Sequence, residues 1–216
     1  GFVWESAALS GGMQTVEITG TGPAGFHFVL DAVEFLNGDK DKGVHVYDGA
    51  HYGTNTDPFV TTLADKSHWE VVKTIKPQLV VISLGINDMV ATYDADHFLA
   101  NIDGMLTRLQ TAMGATAYSV CLCIPYAVPN RVEADPDKWS AMLTGLKDRC
   151  IGGTNGQSNV ALIDINEAWP ELTVDGTNNC GLMVEATNPL HPNDAGNSLI
   201  ADLIVSAILP SPVPAL

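Results

Sequence analysis

Basic residues are scarce in this chain. Its 216 residues include 10 Lys and Arg against 25 Asp and Glu, which gives a formal net charge of −15 at pH 7. A surface with this charge repels phosphate backbones and anionic lipid headgroups. We therefore expect neither nucleic acid nor a membrane as a partner of this protein.

Long apolar runs and cysteine clusters are also missing. No apolar stretch reaches the roughly 18 residues needed to cross a bilayer, so the sequence predicts no membrane span. The four cysteines form no Cys-x-x-Cys pair and none has a histidine beside it, so we expect no metal and no cofactor. Cys121 and Cys123 lie two apart in an apolar run and are predicted to be reduced core thiols, whereas pairing of Cys150 with Cys180 stays open.

What is present is the composition of one packed domain, with 46% apolar and 16% charged residues. Residues 13–47 alternate between apolar and polar side chains, with breaks at glycine-rich turns, which predicts two or three antiparallel strands. So few strands cannot close a sandwich by themselves. We therefore expect residues 1–42 to be part of an incomplete β-sandwich that continues beyond this chain.

From residue 43 onward, short apolar runs alternate with amphipathic stretches. This alternation is typical of an α/β fold, in which a parallel sheet carries helices on both faces. The pattern predicts strands at 44–47, 78–84, 116–124 and 159–165, and helices at about 56–73, 94–113, 136–150 and 193–209. The proline-rich residues 210–216 are predicted to form an extended tail.

Polar and small residues follow the predicted strands at the edge where α/β sheets bind ligands. The loop Asp48-Gly-Ala-His-Tyr-Gly-Thr-Asn-Thr follows the first strand, Gly85-Ile-Asn-Asp follows the second, and Asn188-Pro-Leu-His-Pro precedes the last helix. Alone, Gly85-Ile-Asn-Asp is compatible with an ordinary turn, and His191 with an ordinary loop histidine. Together they predict a site on one rim of the sheet, with Asn87 and His191 in it.

These segments resemble the sequence blocks of the SGNH, or GDSL-type, hydrolase family. Gly85-Ile-Asn-Asp matches the family's Gly-x-Asn-Asp block, and Asn188-Pro-Leu-His-Pro matches its Asp-x-x-His-Pro block except at the first residue. The loop after Asp48 occupies the place of the family's second block. The resemblance covers residues 43–209 and is greatest to hydrolase-like domains of minor tail proteins from phages that infect actinobacteria.

The resemblance implies a flavodoxin-like three-layer α/β/α fold, ester hydrolysis without a cofactor, and roles for four residues. His191 corresponds to the general base and Asn87 to an oxyanion donor. Asn188 stands at the position of the acid that orients the histidine. Ala50 stands at the position of the glycine whose backbone N–H joins the oxyanion hole.

Three departures from the family pattern bear on activity. No Gly-Asp-Ser block, which carries the nucleophile, occurs in the chain, and Ser6 and Ser10 are the only serines before Asp48. Asn188 carries no charge to stabilise a protonated histidine. Ala50 adds a methyl group to a crowded loop. The nucleophile therefore either lies on upstream sequence of a longer polypeptide or has been lost.

Two functions follow from these departures. The sequence favours an SGNH-hydrolase-like domain of a phage tail or cell-surface protein that is catalytically silent as given and serves a binding or structural role. Its expected location is the virion tail or the extracellular space, with other tail proteins as further partners. The alternative is an ester hydrolase or deacetylase of acylated cell-envelope glycan or lipid, with the catalytic serine on upstream sequence.

Overall fold

The computed structural model describes residues 46–63, 68–169, 181–184 and 190–208. The expected β-sandwich segment at 1–42 and the tail at 210–216 lie outside the described residues and stay predictions. The same holds for Cys180 and Asn188. No helix of the described residues is long and apolar enough to cross a membrane.

Three parallel strands form the sheet of the described chain, in the order β1-β2-β3. They are β1, Leu79–Ser83, β2, Ser119–Ile124, and β3, Val160–Asp164. Leu79 pairs with Ser119, and Val120 pairs with Val160, so the strands start level with one another. Because β2 lies in the centre, five of its six residues are buried. The predicted parallel α/β sheet is confirmed.

The helices surround this sheet in the positions that the pattern predicts, with differences in detail. They are α1, Asp57–Val60, α2, His68–Ile75, α3, Ala95–Met113, α4, Pro129–Ala134, α5, Pro136–Arg149, α6, Ile165–Ala168, and α7, Asp194–Ile208, with a 3-10 helix at Asp88–Val90. The helix predicted at 56–73 is two helices, α1 and α2. The short helices α4 and α6 were not predicted, because one or two turns are too short to show a periodic apolar face.

Two of the predicted helices, α3 and α5, begin at capping aspartates. The Asp94 carboxylate accepts a hydrogen bond from the His97 N–H and starts α3, and the Asp135 carboxylate does the same for Lys138 at the start of α5. These bonds satisfy backbone N–H groups that have no partner within the helix. Helix α3 ends at Gly114, where φ is 59°. The boundaries predicted for both helices are therefore confirmed to within a residue or two.

The first predicted strand, at 44–47, is not formed in its described part. Val46 and Tyr47 belong to no strand, and Val46 is 87% exposed. A strand needs a neighbour for its backbone N–H and C=O groups, and within the described residues nothing pairs with the outer edge of β1. Val81 on that edge is 40% exposed. An apolar run of four residues without such a partner does not hold an extended conformation, so this element of the prediction is wrong at residues 46 and 47.

Apolar side chains pack on both faces of the sheet and thereby form three layers. On one face, Val120, Leu122 and Ile124 of β2 pack with α3 and α5, through residues such as Phe98 and Met142. On the other face, Cys121 and Cys123 pack with Ile163, Trp169, Met183 and the apolar side of α7. The alternation along β2 is the two-residue period of a strand that is buried on both faces. The predicted flavodoxin-like three-layer α/β/α fold is confirmed.

The central strand supplies a test of this packing. Ile124 at the end of β2 is fully buried, whereas Ile151 after α5 is 65% exposed. We expect Ile124→Ala to lower the free energy of unfolding by about 3 kcal/mol, because it leaves a cavity in the core. The matched control Ile151→Ala is expected to lower it by less than about 0.5 kcal/mol. Urea unfolding followed by circular dichroism measures both, and equal losses would contradict the described core.

The buried thiols provide a second test. Cys121, Cys123 and Cys150 are free and buried, and burial raises the pKa of Cys123 to about 12 and that of Cys150 to about 11. Burial also raises the pKa of Cys121. Since only the thiolate reacts, we expect no alkylation of these three residues by iodoacetamide at pH 8 in the folded protein, and full alkylation in urea. Peptide mapping by mass spectrometry reads each thiol separately, and rapid labelling of Cys123 in the folded chain would contradict its burial.

Candidate functional site

A large cavity of about 1630 Å³ runs along β1 and reaches its carboxyl end. Ala50, Asn87 and His191 all line it, although they come from three distant parts of the chain. Three of the four site residues predicted from the sequence thus face one cavity. The fourth, Asn188, lies outside the described residues, and its role stays a prediction.

Asn87 owes its position to the turn that follows β1. Gly85 has a φ of +129°, a conformation that residues with a side chain rarely adopt. A Cβ there would also come within 3.4 Å of Met142 and Pro125. The chain therefore leaves the sheet sharply at Gly85, and Asn87 precedes the 3-10 helix with its side chain half-buried at the cavity.

Both ends of the Asn87 amide are engaged. Its Nδ2 donates to the backbone oxygen of Thr54 at 3.2 Å, and its Oδ1 accepts from Nη1 of Arg131 at 3.0 Å. An asparagine amide has two N–H donors. In the described part of the chain the second donor has no partner, so it is available to a ligand in the cavity.

Asp88 connects this turn to the loop that carries Ala50. It is fully buried, and its Oδ1 accepts from the N–H and the Oγ1 of Thr56, at 3.0 and 2.5 Å, and from the Tyr93 hydroxyl at 2.5 Å. Asn101 adds a bond from its Nδ2 to Thr56 Oγ1. Burial and the bond to Asp88 raise the pKa of Tyr93 well above its ordinary value, so its hydroxyl stays protonated and donates. Within the described residues, Asp88 Oδ2 has no hydrogen-bond partner.

Lys138 binds the backbone of the segment between Asp88 and Tyr93. Its ammonium group donates to the backbone oxygens of Asp88, Ala91 and Tyr93 at 2.8, 3.0 and 2.6 Å. It also lies 5.3 Å from the centre of the Tyr93 ring. The residue is only 8% exposed. Lys138 therefore acts as an internal cation that holds the carbonyls of this loop in one arrangement.

Sequence reasoning missed Arg131 and Lys138. A signal for Lys138 exists, because it lies one helical turn before the buried Met142 and therefore on the core-facing side of α5. A lysine on such a face needs buried acceptors. Arg131 has no comparable signal, since α4 is too short to show which side faces the protein.

His191 lies at an exposed position on the rim, and backbone bonds hold the chain on either side of it. Its backbone oxygen accepts from the N–H of Val184 at 2.8 Å. The hydroxyl of Tyr126, which follows β2, donates to the backbone oxygen of Leu190 at 2.8 Å. His191 is thus attached to the same edge of the sheet as Asn87.

Asn193 fixes the start of α7 just behind the histidine. Its Oδ1 accepts from the backbone N–H groups of Ala195 and Gly196, which caps the helix. Its Nδ2 donates to the backbone oxygens of Gly181 and Met183 at 2.7 and 3.1 Å. The segment that carries His191 is therefore linked to 181–184 as well as to α7.

Ala50 faces the cavity, but its N–H is already used. The N–H donates to the Asp48 carboxylate within the same loop at 2.9 Å. The resemblance implies that this N–H is an oxyanion donor. In the described structure the N–H is bonded to the Asp48 carboxylate instead. Asn87 therefore has a donor available, whereas the Ala50 N–H would have to leave Asp48 first.

Aromatic rings line the cavity beside this loop. The ring centres of His51 and Phe59 are 5.6 Å apart, and His68 lies 5.3 Å from Phe59 and 5.1 Å from Trp69. Tyr52 in the same loop is fully exposed. Trp139 and Trp169 are each 7% exposed and pack in the core on opposite faces of the sheet.

No group of three or more His, Cys, Asp or Glu side chains is close enough to hold a metal ion among the residues that the structure describes.

Comparisons with known proteins give the family and the fold of the chain. Residues 31–199 match the family described as GDSL-like Lipase/Acylhydrolase. Among solved structures, the chain is similar to a carbohydrate esterase family 3 from Talaromyces cellulolyticus, with 21% identity, a TM-score of 0.50, and 73% of this chain and 68% of that chain covered. An acetyl esterase mutant with acetate ion gives the same values. The search of curated proteins found no match.

The internal cation offers a test of how the site is held. We expect Lys138→Met to lower the free energy of unfolding by about 3 kcal/mol, because three buried carbonyls lose a charged donor. The control Lys73→Met removes an exposed lysine that pairs with Glu70 and is expected to cost no more than about 0.5 kcal/mol. Urea unfolding measures both, and equal effects would show that Lys138 does not hold the loop.

Proposed function

Since the chain belongs to the GDSL-like lipase/acylhydrolase family, we propose that it carries an ester hydrolase site that removes acyl groups from carbohydrate. The observation that carries this proposal is the placement of Asn87, Ala50 and His191 on one cavity. The solved structures that the chain resembles include a carbohydrate esterase and an acetyl esterase, which supports an acylated sugar as the substrate.

In this proposal a serine attacks the ester carbonyl while His191 takes the proton from its hydroxyl. The carbonyl oxygen becomes an oxyanion, which accepts the second N–H of Asn87. The intermediate collapses, His191 returns the proton to the departing sugar hydroxyl, and the acyl group stays on the serine. Water then attacks the acyl-serine with the same histidine as base and releases the carboxylic acid.

The serine is proposed to come from sequence that precedes residue 46, on this chain or upstream of it. The chain contains no Gly-Asp-Ser block, and its upstream serines, Ser6 and Ser10, lie outside the described residues. Asn188 is proposed to accept from the histidine ring as a neutral partner. Such a neutral partner lowers turnover, because the same exchange in serine proteases costs about 10⁴-fold.

The charge of the chain favours an uncharged substrate. A formal net charge of −15 repels anionic lipids and acidic polymers, whereas a neutral acylated glycan meets no such repulsion. We therefore propose acylated glycan of a cell envelope before lipid as the substrate.

A second candidate function is a silent binding module of a phage tail or cell-surface protein, located on the virion tail or outside the cell, with other tail proteins as neighbours. Two observations favour it. The chain has no Gly-Asp-Ser block, and the Ala50 N–H is bonded to Asp48 instead of facing a substrate. In this case the same cavity binds a glycan without turning it over.

The test is hydrolysis of p-nitrophenyl acetate by the complete gene product that contains residues 1–216. We expect Asn87→Ala to lower kcat by about 10²- to 10³-fold, because it removes the oxyanion donor, and His191→Ala to abolish turnover. The matched controls His97→Ala and Asn155→Ala replace residues that do not line the cavity and are expected to leave kcat unchanged.

A fluorophosphonate probe separates the two candidate functions. Labelling of one serine, lost in His191→Ala, supports the hydrolase. No labelling and no turnover, together with binding of acetylated glycans on an array, would overturn the hydrolase and support the silent module.

A further inference from the structure

We propose that Arg131 is a positioning residue that orients and polarises the Asn87 amide. The inference rests on the ester hydrolase proposed above, in which Asn87 stabilises the oxyanion. Its basis is a contact between two elements that the sequence does not relate, the turn after β1 and the short helix α4 after β2.

Helix α4 brings the guanidinium to the turn. It begins at Pro129, and the Arg131 N–H bonds to the backbone oxygen of Val128, which places the side chain on the first turn. Nη1 then donates to the backbone oxygen of Ile86 at 2.5 Å and to Asn87 Oδ1 at 3.0 Å. One guanidinium nitrogen thus donates both to the backbone of Ile86 and to the side chain of Asn87.

The contact decides which way the amide faces. A guanidinium only donates, so it selects the oxygen end of the Asn87 amide, and the Thr54 carbonyl only accepts, so it selects the nitrogen end. A flipped amide would set donor against donor at Arg131 and oxygen against oxygen at Thr54. It would also replace the free N–H with an oxygen that repels an oxyanion. Arg131 and Thr54 therefore keep the N–H available to the cavity.

The same contact strengthens the donor. Hydrogen bonds from a charged group are about twice as strong as neutral ones, and a bond at Oδ1 withdraws electron density from the amide. The Arg131 guanidinium is partly withdrawn from water, and this burial lowers its pKa. Arginine nevertheless stays charged in proteins. The polarised Nδ2–H is consequently a better donor to the negative charge that develops in the transition state.

The kinetic test compares Arg131→Met and Arg131→Lys with the unmodified gene product on p-nitrophenyl acetate. We expect Arg131→Met to lower kcat by about tenfold with KM changed by less than about twofold, since the donor remains but loses its orientation and polarisation. Arg131→Lys keeps a charged donor and is expected to recover part of that loss. Arg108→Met, which breaks another arginine bond to a backbone oxygen, at Val60, is the matched control and should leave kcat unchanged.

A spectroscopic readout follows the amide directly and does not need turnover. In a ¹⁵N-labelled sample, the side-chain NH₂ signals of Asn87 are identified by their loss in Asn87→Asp. We expect them to move in Arg131→Met toward the positions of a solvated amide, to move less in Arg131→Lys, and to stay in place in Arg108→Met. Should Arg131→Met fail to fold, Arg131→Lys supplies the same comparison.

The outcomes separate the two proposals. Unmoved Asn87 signals in the Arg131 variants, or equal changes in kcat for Arg131→Met and Arg108→Met, would overturn the role of Arg131. A gene product that hydrolyses no ester, but whose Asn87 signals move as expected, keeps the orienting role and overturns the hydrolase.

Discussion

The buried bond between Asp88 and Thr56 is the interaction on which the site depends. Through it, and through the bond from Asn87 to the Thr54 oxygen, the turn after β1 is joined to the loop at 48–56. A carboxylate without water is costly unless it is hydrogen-bonded, and three donors on Oδ1 offset part of that cost, while Oδ2 has no partner among the described residues. These bonds hold the end of the loop beside the turn, and Ala50 and Asn87 line the same cavity.

Two of the ten basic residues are directed inward at this turn. Lys138 holds the carbonyls between Asp88 and Tyr93, and Arg131 holds Ile86 and Asn87. A buried cation requires several acceptors, and a tight turn presents several backbone oxygens in a small volume. The two cations therefore give the turn a rigidity that its irregular backbone lacks, and a preorganised donor is what stabilisation of an oxyanion requires.

Some of the groups that the proposed chemistry needs lie among the described residues, and others do not. On the donor side, Asn87 is engaged at both ends of its amide and its second N–H has no partner among the described residues, whereas the Ala50 N–H is bonded to Asp48. The base, His191, lies on the same cavity, held by backbone bonds at 184 and 190. Asn188 lies outside the described residues, and the nucleophile is proposed to lie outside them as well. The family membership of the chain is consistent with the proposed hydrolysis, and the Ala50–Asp48 bond is what the proposed site would have to rearrange.

The sequence by itself determined the order of the three described strands and of the longer helices α3 and α5, because burial leaves a readable period in β2, α3 and α5. It also predicted that Asn87 and His191 share one rim, since parallel strands end at a common edge, and both residues line one cavity in the described structure. The strand predicted at 44–47 failed at Val46 and Tyr47, because pairing depends on a neighbour and not on the run itself. Only the tertiary structure decided that Arg131 and Lys138 support Asn87 and its turn. The hydrogen bonds concerned join residues that are 44 and 50 positions apart in the sequence. They arise from the packing of α4 and α5, and no local sequence pattern encodes that packing.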